Sequence, residues 1–261
     1  MFDLLSIALP FRMQPGLQRL EQGRHLTPLA ADSALWQEKQ RVLAAGASRL
    51  GVPGFDAAPA IAAILRRAQA EGISAEEPIE LALAQDFAIL DGASTTLPWL
   101  CVCVPSHWAP EEKLGLPFTA VHAPVADNQL LLAAARQLAQ LVTGGGEWER
   151  SVWTITPSGR YDQHPQRHPR APWPQAQGED FAKQLFLRAE RQTFFPIGEG
   201  SGQAVFTIHV TLQPLAEAVA TPAHARRLHE ALASMSDAVL AYKGLAPAHE
   251  RLLAWLKARG S

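Results

Sequence analysis

The chain has little cysteine, no excess of charge of either sign and no long apolar run. Two cysteines in 261 residues cannot build a disulfide framework, which points to a reducing compartment. With 23 basic and 25 acidic side chains the formal charge is −2. Nucleic acid is thereby excluded as a main partner, because phosphate contacts need a clustered excess of Lys and Arg. The longest apolar stretches, such as Leu97 to Val104, fall short of the roughly 20 residues a membrane helix needs. The start, Met1-Phe2-Asp3-Leu4-Leu5, has no basic stretch ahead of its apolar residues, so a signal peptide is not expected. Internal repeats and low-complexity tracts are lacking too. The expectation is a soluble cytoplasmic protein with neither a membrane nor a nucleic-acid partner.

Apolar residues are plentiful. They make up 48% of the chain against 18% charged, enough for a sizeable core and unlike a disordered polymer. Apolar periodicity predicts a helix over 34–43, and Asp56 before Ala57-Ala58-Pro59 marks another helix start, with apolar positions 61, 64, 65 and 68 down one face. Strands are expected at Phe87–Leu90, Leu97–Val104, Trp148–Ile155, Leu185–Phe195 and Ala204–Leu212, the last two joined across Gly198-Glu199-Gly200-Ser201-Gly202. Gln129–Val142, Pro222–Ser234 and Pro247–Arg259 read as helices, and Pro157–Gly178, with five prolines, as a loop. Five strands with helices at both ends give an α+β domain around an antiparallel sheet. The expected organisation is a single domain: a mostly helical extension over 1–75, a core over 76–215 and C-terminal helices over 216–261.

Several tempting motifs carry no chemistry. The Gly198–Gly202 stretch precedes a strand, whereas phosphate loops open onto a helix N-terminus, so it reads as a hairpin turn. His164 and His168 have i, i+4 spacing, but Pro165 and Pro169 forbid the helix that would align two zinc ligands, which leaves an ordinary exposed loop. Cys101 and Cys103 alternate with Val102 and Val104 and read as small buried hydrophobes. Strand alternation places Arg188, Glu190 and Gln192 on one face of the penultimate strand, and Thr207, His209 and Thr211 on one face of the last. If the hairpin brings those faces together, one side of the sheet is polar and ionisable; a plain solvated face is the simpler alternative. His122, in an apolar segment just before a helix, reads by spacing alone as a hydrogen-bonded core histidine or a metal ligand.

Longer stretches carry a resemblance over nearly the whole chain. Leu187-Arg188-Ala189-Glu190-Arg191-Gln192-Thr193 followed by Val205-Phe206-Thr207-Ile208 resembles the signature hairpin of the haem-dependent oxidative N-demethylase family. Pro10-Phe11-Arg12-Met13 agrees in order and spacing. So do Pro105-Ser106-His107-Trp108 through Glu112-Lys113-Leu114-Gly115 to His122-Ala123-Pro124-Val125, and Tyr242-Lys243-Gly244-Leu245. Departures lie at Phe194-Phe195-Pro196-Ile197-Gly198, where the family usually shows Leu-Arg-Arg-Leu-Pro, and at Val152 and Val210-Thr211.

The resemblance implies a PAS-like antiparallel sheet with N- and C-terminal helical extensions, binding haem b. It implies oxidative removal of a methyl group from a small secondary amine such as dimethylamine, releasing formaldehyde, with O₂ as oxidant. Electrons would come from NADPH through a partner's flavin and iron–sulfur centres. A haem iron needs an axial ligand, and His122 in the His-Ala-Pro-Val stretch is the leading one, with His209 and His107 behind it. Glu190 would orient an alkylammonium substrate, and Arg188 would pair with a propionate or with Glu190. Lys113 is a second propionate candidate, and Trp153 either walls the pocket or is core. A non-enzymatic haem-PAS sensor or haem-binding protein is the alternative on the same residues.

Overall fold

Two short N-terminal strands and five further strands build one antiparallel sheet. In the computed structural model, which describes residues 2–261, the strands are β1 (Gln18–Arg19), β2 (Arg49–Gly51), β3 (Asp86–Asp91), β4 (Trp99–Cys101), β5 (Trp148–Thr156), β6 (Phe186–Pro196) and β7 (Gln203–Pro214). Their order across the sheet is β1-β5-β6-β7-β3-β4-β2, with every neighbouring pair antiparallel. The helices in chain order begin with α1 (Ala34–Ala44), α2 (Ala58–Ala70), α3 (Ile79–Ala82), α4 (Phe118–His122), α5 (Gln129–Ala133) and α6 (Ala135–Thr143). They continue with α7 (Gly178–Ala182), α8 (Leu215–Ala218), α9 (Pro222–Ala233), α10 (Asp237–Tyr242) and α11 (His249–Gly260). The α+β architecture read from the sequence is the one the chain adopts. The first 75 residues are less helical than expected, since they also supply both edge strands.

Local chemistry explains most boundaries. Ser33 caps α1, its hydroxyl accepting the Trp36 amide, while Leu35, Glu38, Lys39 and Val42 turn inward at helical spacing. Asp56 Oδ1 accepts the Ala58 amide at 2.9 Å, and Pro59 occupies the first turn of α2, where its missing N–H costs nothing. The expected strand over 97–104 pairs only at 99–101, because the next amides find other acceptors. Val102 N donates to Ser48 O at 2.8 Å, and Cys103 N and Val104 N donate to the Asp86 carboxylate at 3.0 and 2.8 Å. The helix expected over 129–142 is split at Ala134, although Ala134 N still reaches Leu130 O and Leu138 N reaches Ala134 O. The Gly198–Gly202 stretch is a hairpin turn as expected, with Gly200 and Gly202 at φ +69° and +65°, a region that side chains disfavour.

The two faces of the sheet are covered differently. On the back face α2 lays Ala60, Ala63, Ile64 and Ala68 on Phe87, Ile89, Phe195 and Val205. Beside it α9 and α11 pack Leu228, Leu232, Leu252 and Leu256 into the cluster that holds Trp153, Leu187 and Ala189. Each fully buried leucine or phenylalanine there contributes about 1.5–3 kcal/mol of transfer free energy. The front face is covered in patches: α1 over Ile208 and Val210, a loop bearing Trp108 and Leu114 over Ala88 and Leu100, and α6 over Leu90. Between those patches the front face is polar.

Candidate active site

Register decides which side chains meet. Glu190 lies opposite Val210 and Val152, Gln192 opposite Ile208 and Arg150, and Arg188 opposite Leu212 and Thr154. Directly opposed residues share a face, so Arg188, Glu190, Gln192 and Arg150 all belong to the front. His209 lies opposite Arg191, Thr207 opposite Thr193, and Thr211 opposite Ala189, which puts them on the back. The two polar rows therefore do not combine as the alternation alone allowed. The continuous register places them on opposite sides of one sheet.

The Glu190 carboxylate is held from both ends. Oε1 accepts a hydrogen bond from Ser106 Oγ, and Oε2 accepts one from Gln192 Nε2 at 2.7 Å. Ser106 Oγ in turn accepts Arg188 Nε at 2.7 Å. The rest of the Arg188 fork is spent on backbone: Val104 O and Tyr161 O at 2.9 Å each, and Arg160 O at 3.3 Å. At 1% exposure Arg188 is a structural clamp joining two segments, 104–106 and 160–161, to β6, and it meets Glu190 through Ser106 rather than directly. A carboxylate has about four acceptor sites; Glu190 uses two for positioning and keeps the remainder.

Beside this carboxylate stands a cation without a counterpart. Arg150 Nε is sealed from solvent and has no hydrogen-bond partner among the described residues. Burial works against its charge and Glu190 only partly offsets that. The same guanidinium acts on His122, whose pKa lies below the ordinary value through burial first and then through Arg150 and Lys113. His122 ends α4, with Nδ1 2.8 Å from the Phe118 carbonyl and its ring stacked 4.1 Å from the Phe118 ring. A carbonyl can only accept, so Nδ1 carries the proton and Nε2 presents a lone pair. Such a second-shell bond orients a histidine for metal ligation. Lys113 Nζ donates to Val121 O at 3.4 Å, beside the same helix end. Lys243 Nζ donates to Trp153 O at 2.6 Å, over the Phe11 and Trp153 rings. Its pKa is lowered to about 8 by burial, against the pull of Glu190.

The remaining sequence candidates lie elsewhere. Trp153 is on the back face, buried and edge-on to Phe11 at 5.7 Å, so of its two readings the core one matches its position. His209 shares that face, and its pKa falls to about 4 through burial and the Lys39 and Arg191 charges. His107 takes a positive φ of 60° and lines a cleft of about 190 Å³ with Arg160, Gln163 and His168. Burial, Arg170 and Arg188 push its pKa to about 4. His164, expected on an exposed loop, is instead buried, with Nε2 3.0 Å from Glu111 Oε2 and its amide on Asp162. Both cysteines are buried as expected.

Two participants escaped the sequence reading. Ser106 sits in a quoted motif without a role of its own, and Arg150 was not singled out at all. The signal for Arg150 is the alternation Arg150, Val152, Thr154 along β5, but it acquires meaning only from the pairing with β6.

Among the described residues no three His, Cys, Asp or Glu side chains gather around one point. A lone imidazole nitrogen suits an iron whose other ligands come from a macrocycle, and an unpaired guanidinium suits the carboxylates such a macrocycle carries. The donor set on the front face thus fits a haem. Residues 66–253 match the family model described as haem-dependent oxidative N-demethylase, alpha subunit-like, and the chain belongs to that family.

Proposed function

We propose that the chain is the haem-binding subunit of an oxygenase that removes a methyl group from a small secondary amine of the dimethylamine type, releasing formaldehyde. The observation that carries this reading is the pairing of His122, with Nδ1 fixed and Nε2 free, with a sheet face that presents the pre-oriented Glu190 carboxylate. Bound haem b supplies the oxygen and C–H chemistry that side chains lack, with electrons from NADPH delivered by a separate flavin and iron–sulfur reductase. His122 would hold the haem iron through Nε2, and burial, which lowers its pKa, favours the neutral form that ligation requires. Glu190 accepts an N–H of the alkylammonium on the acceptor sites left free by Ser106 and Gln192. Because both oxygens are already held, binding the amine costs little further side-chain ordering. The central strands β3 to β7, with first and last as neighbours, support the PAS-like reading of the core.

The test is reconstitution of the purified chain with haemin. A Soret band that survives desalting is expected, and His122→Ala should weaken haem retention by roughly 100-fold or change the ligand-field bands. An unchanged spectrum in that variant would move the ligand elsewhere. With dimethylamine, NADPH and a surrogate flavin reductase, formaldehyde should form above a haem-free control; its absence would leave a haem-binding protein without this turnover.

A further inference from the structure

The least compensated group on the front face is Arg150. A sealed guanidinium nitrogen without a partner is rare, because desolvating it forfeits its bonds to water. Its surroundings do not supply the missing anion. Arg150 and Lys243 both act on Glu190's neighbourhood, and Lys113 joins Arg150 at His122. Arg150 and Lys243 thus share the field of one carboxylate, Glu190, which already accepts hydrogen bonds from Ser106 and Gln192. Arg150 makes no salt bridge with a described residue, although Arg49, Arg67, Arg167, Arg191 and Arg259 all do. The position is also rigid: Arg150 lies inside β5, paired with Gln192 on β6, so the fork is presented from a strand rather than a mobile loop.

We infer that Arg150 is a carboxylate-recognition residue and that its ligand is a propionate of the haem proposed above. The inference rests on that haem reading. It assigns a charge-neutralising role to the propionate: once Arg150 is paired, Glu190 no longer faces an unbalanced cation and is free to hold an alkylammonium. It also assigns the main propionate contact to the sheet, and leaves Lys113, which already donates to Val121 O, a secondary one.

The experiment compares haemin with haemin dimethyl ester, which has the same macrocycle and iron but no free carboxylates, on the full chain and on Arg150→Gln. Wild type should bind haemin about tenfold or more tightly than the ester, the range of one charge-assisted hydrogen bond. Arg150→Gln should lose that discrimination by weakening haemin alone, and Arg150→Lys should fall between. Arg150 is half-buried and its sealed Nε makes no hydrogen bond that the substitution would break, so haem-free Arg150→Gln should melt no lower than haem-free wild type. Equal affinities of wild type for haemin and the ester, or an undiminished haemin affinity in Arg150→Gln, would overturn the assignment while leaving the haem reading intact. Failure of wild type to retain either ligand would remove the haem reading itself, and the propionate with it.

Discussion

The two faces of this sheet are made from the same strands, yet they solve different problems. On the back, long helices bury two apolar clusters, one around Phe195 and one around Leu187 and Trp153. The polar groups there are closed into pairs: His25 joins Thr193 Oγ1 at 3.0 Å to Glu147 Oε2 at 2.7 Å. On the front, α4 buries no residue, Leu130 of α5 is 76% exposed, and Arg150 Nε lacks a partner. The larger apolar clusters lie on one side, and the sheet's own unpartnered cation on the other. Rigid support behind a polar, loosely covered surface is the arrangement expected of a site that must accept a ligand.

Substitutions can break this contrast. The largest effect is expected from Phe195→Ala, which empties a fully buried position under α2 and should cost about 3–5 kcal/mol in urea unfolding. The variant, once folded, should retain an unchanged haem spectrum. Glu190→Gln should act in the opposite sense: the amine-induced shift of the haem spectrum should require roughly tenfold more dimethylamine, with stability changed by no more than about 1 kcal/mol. A stability loss as large as that of Phe195→Ala would make Glu190 a core residue rather than a binding one.

Acidity sharpens the comparison further, because each face holds a histidine with a pKa of about 4: His209 on the back beside Lys39 and Arg191, and His107 near the front beside Arg170 and Arg188. Both are neutral in folded and unfolded chains above about pH 6.5. Between pH 6.5 and 4 the unfolded chain binds protons that the folded one refuses, so stability falls as pH falls through that window. The two histidines' share of the drop in melting temperature should be complete by about pH 4. Below that the loss continues through Glu80, whose pKa is held at about 2, against its burial, by hydrogen bonds from Arg49 and Ser48. The smallest effect belongs to His209→Gln, which should flatten part of that pH dependence and leave the Soret band in place. A displaced band would put the axial ligand on the back face.

Much of this was legible in the chain. Asp56 and Pro222 mark helix starts, and alternation along 185–195 sorts Arg188, Glu190 and Gln192 onto one face before any partner strand is known. What alternation cannot supply is register, a property of two strands and the turn between them. Alternation therefore leaves open whether His209 and Glu190 meet, and the register keeps them on opposite faces. The early end of β4 was equally hidden, because it depends on a carboxylate 17 residues away, Asp86, which draws off the amides of Cys103 and Val104. The burial of His164 is hidden for the same reason: Pro165 argues correctly against a helix, but burial is decided by Glu111 and Asp162, which the local sequence does not reveal.

The continuous β6–β7 register carries a consequence for how this chain tolerates change in length. Residues added to the exposed turn around Gly198–Gly202 leave every pairing intact and should pass unnoticed. One residue inserted between Glu190 and Arg191 would turn Arg188 and Glu190 through the sheet, exchange them with apolar neighbours, and detach both from Ser106. The hairpin is thus an address as well as a scaffold: its parity, more than its composition, determines which side of the protein can do chemistry.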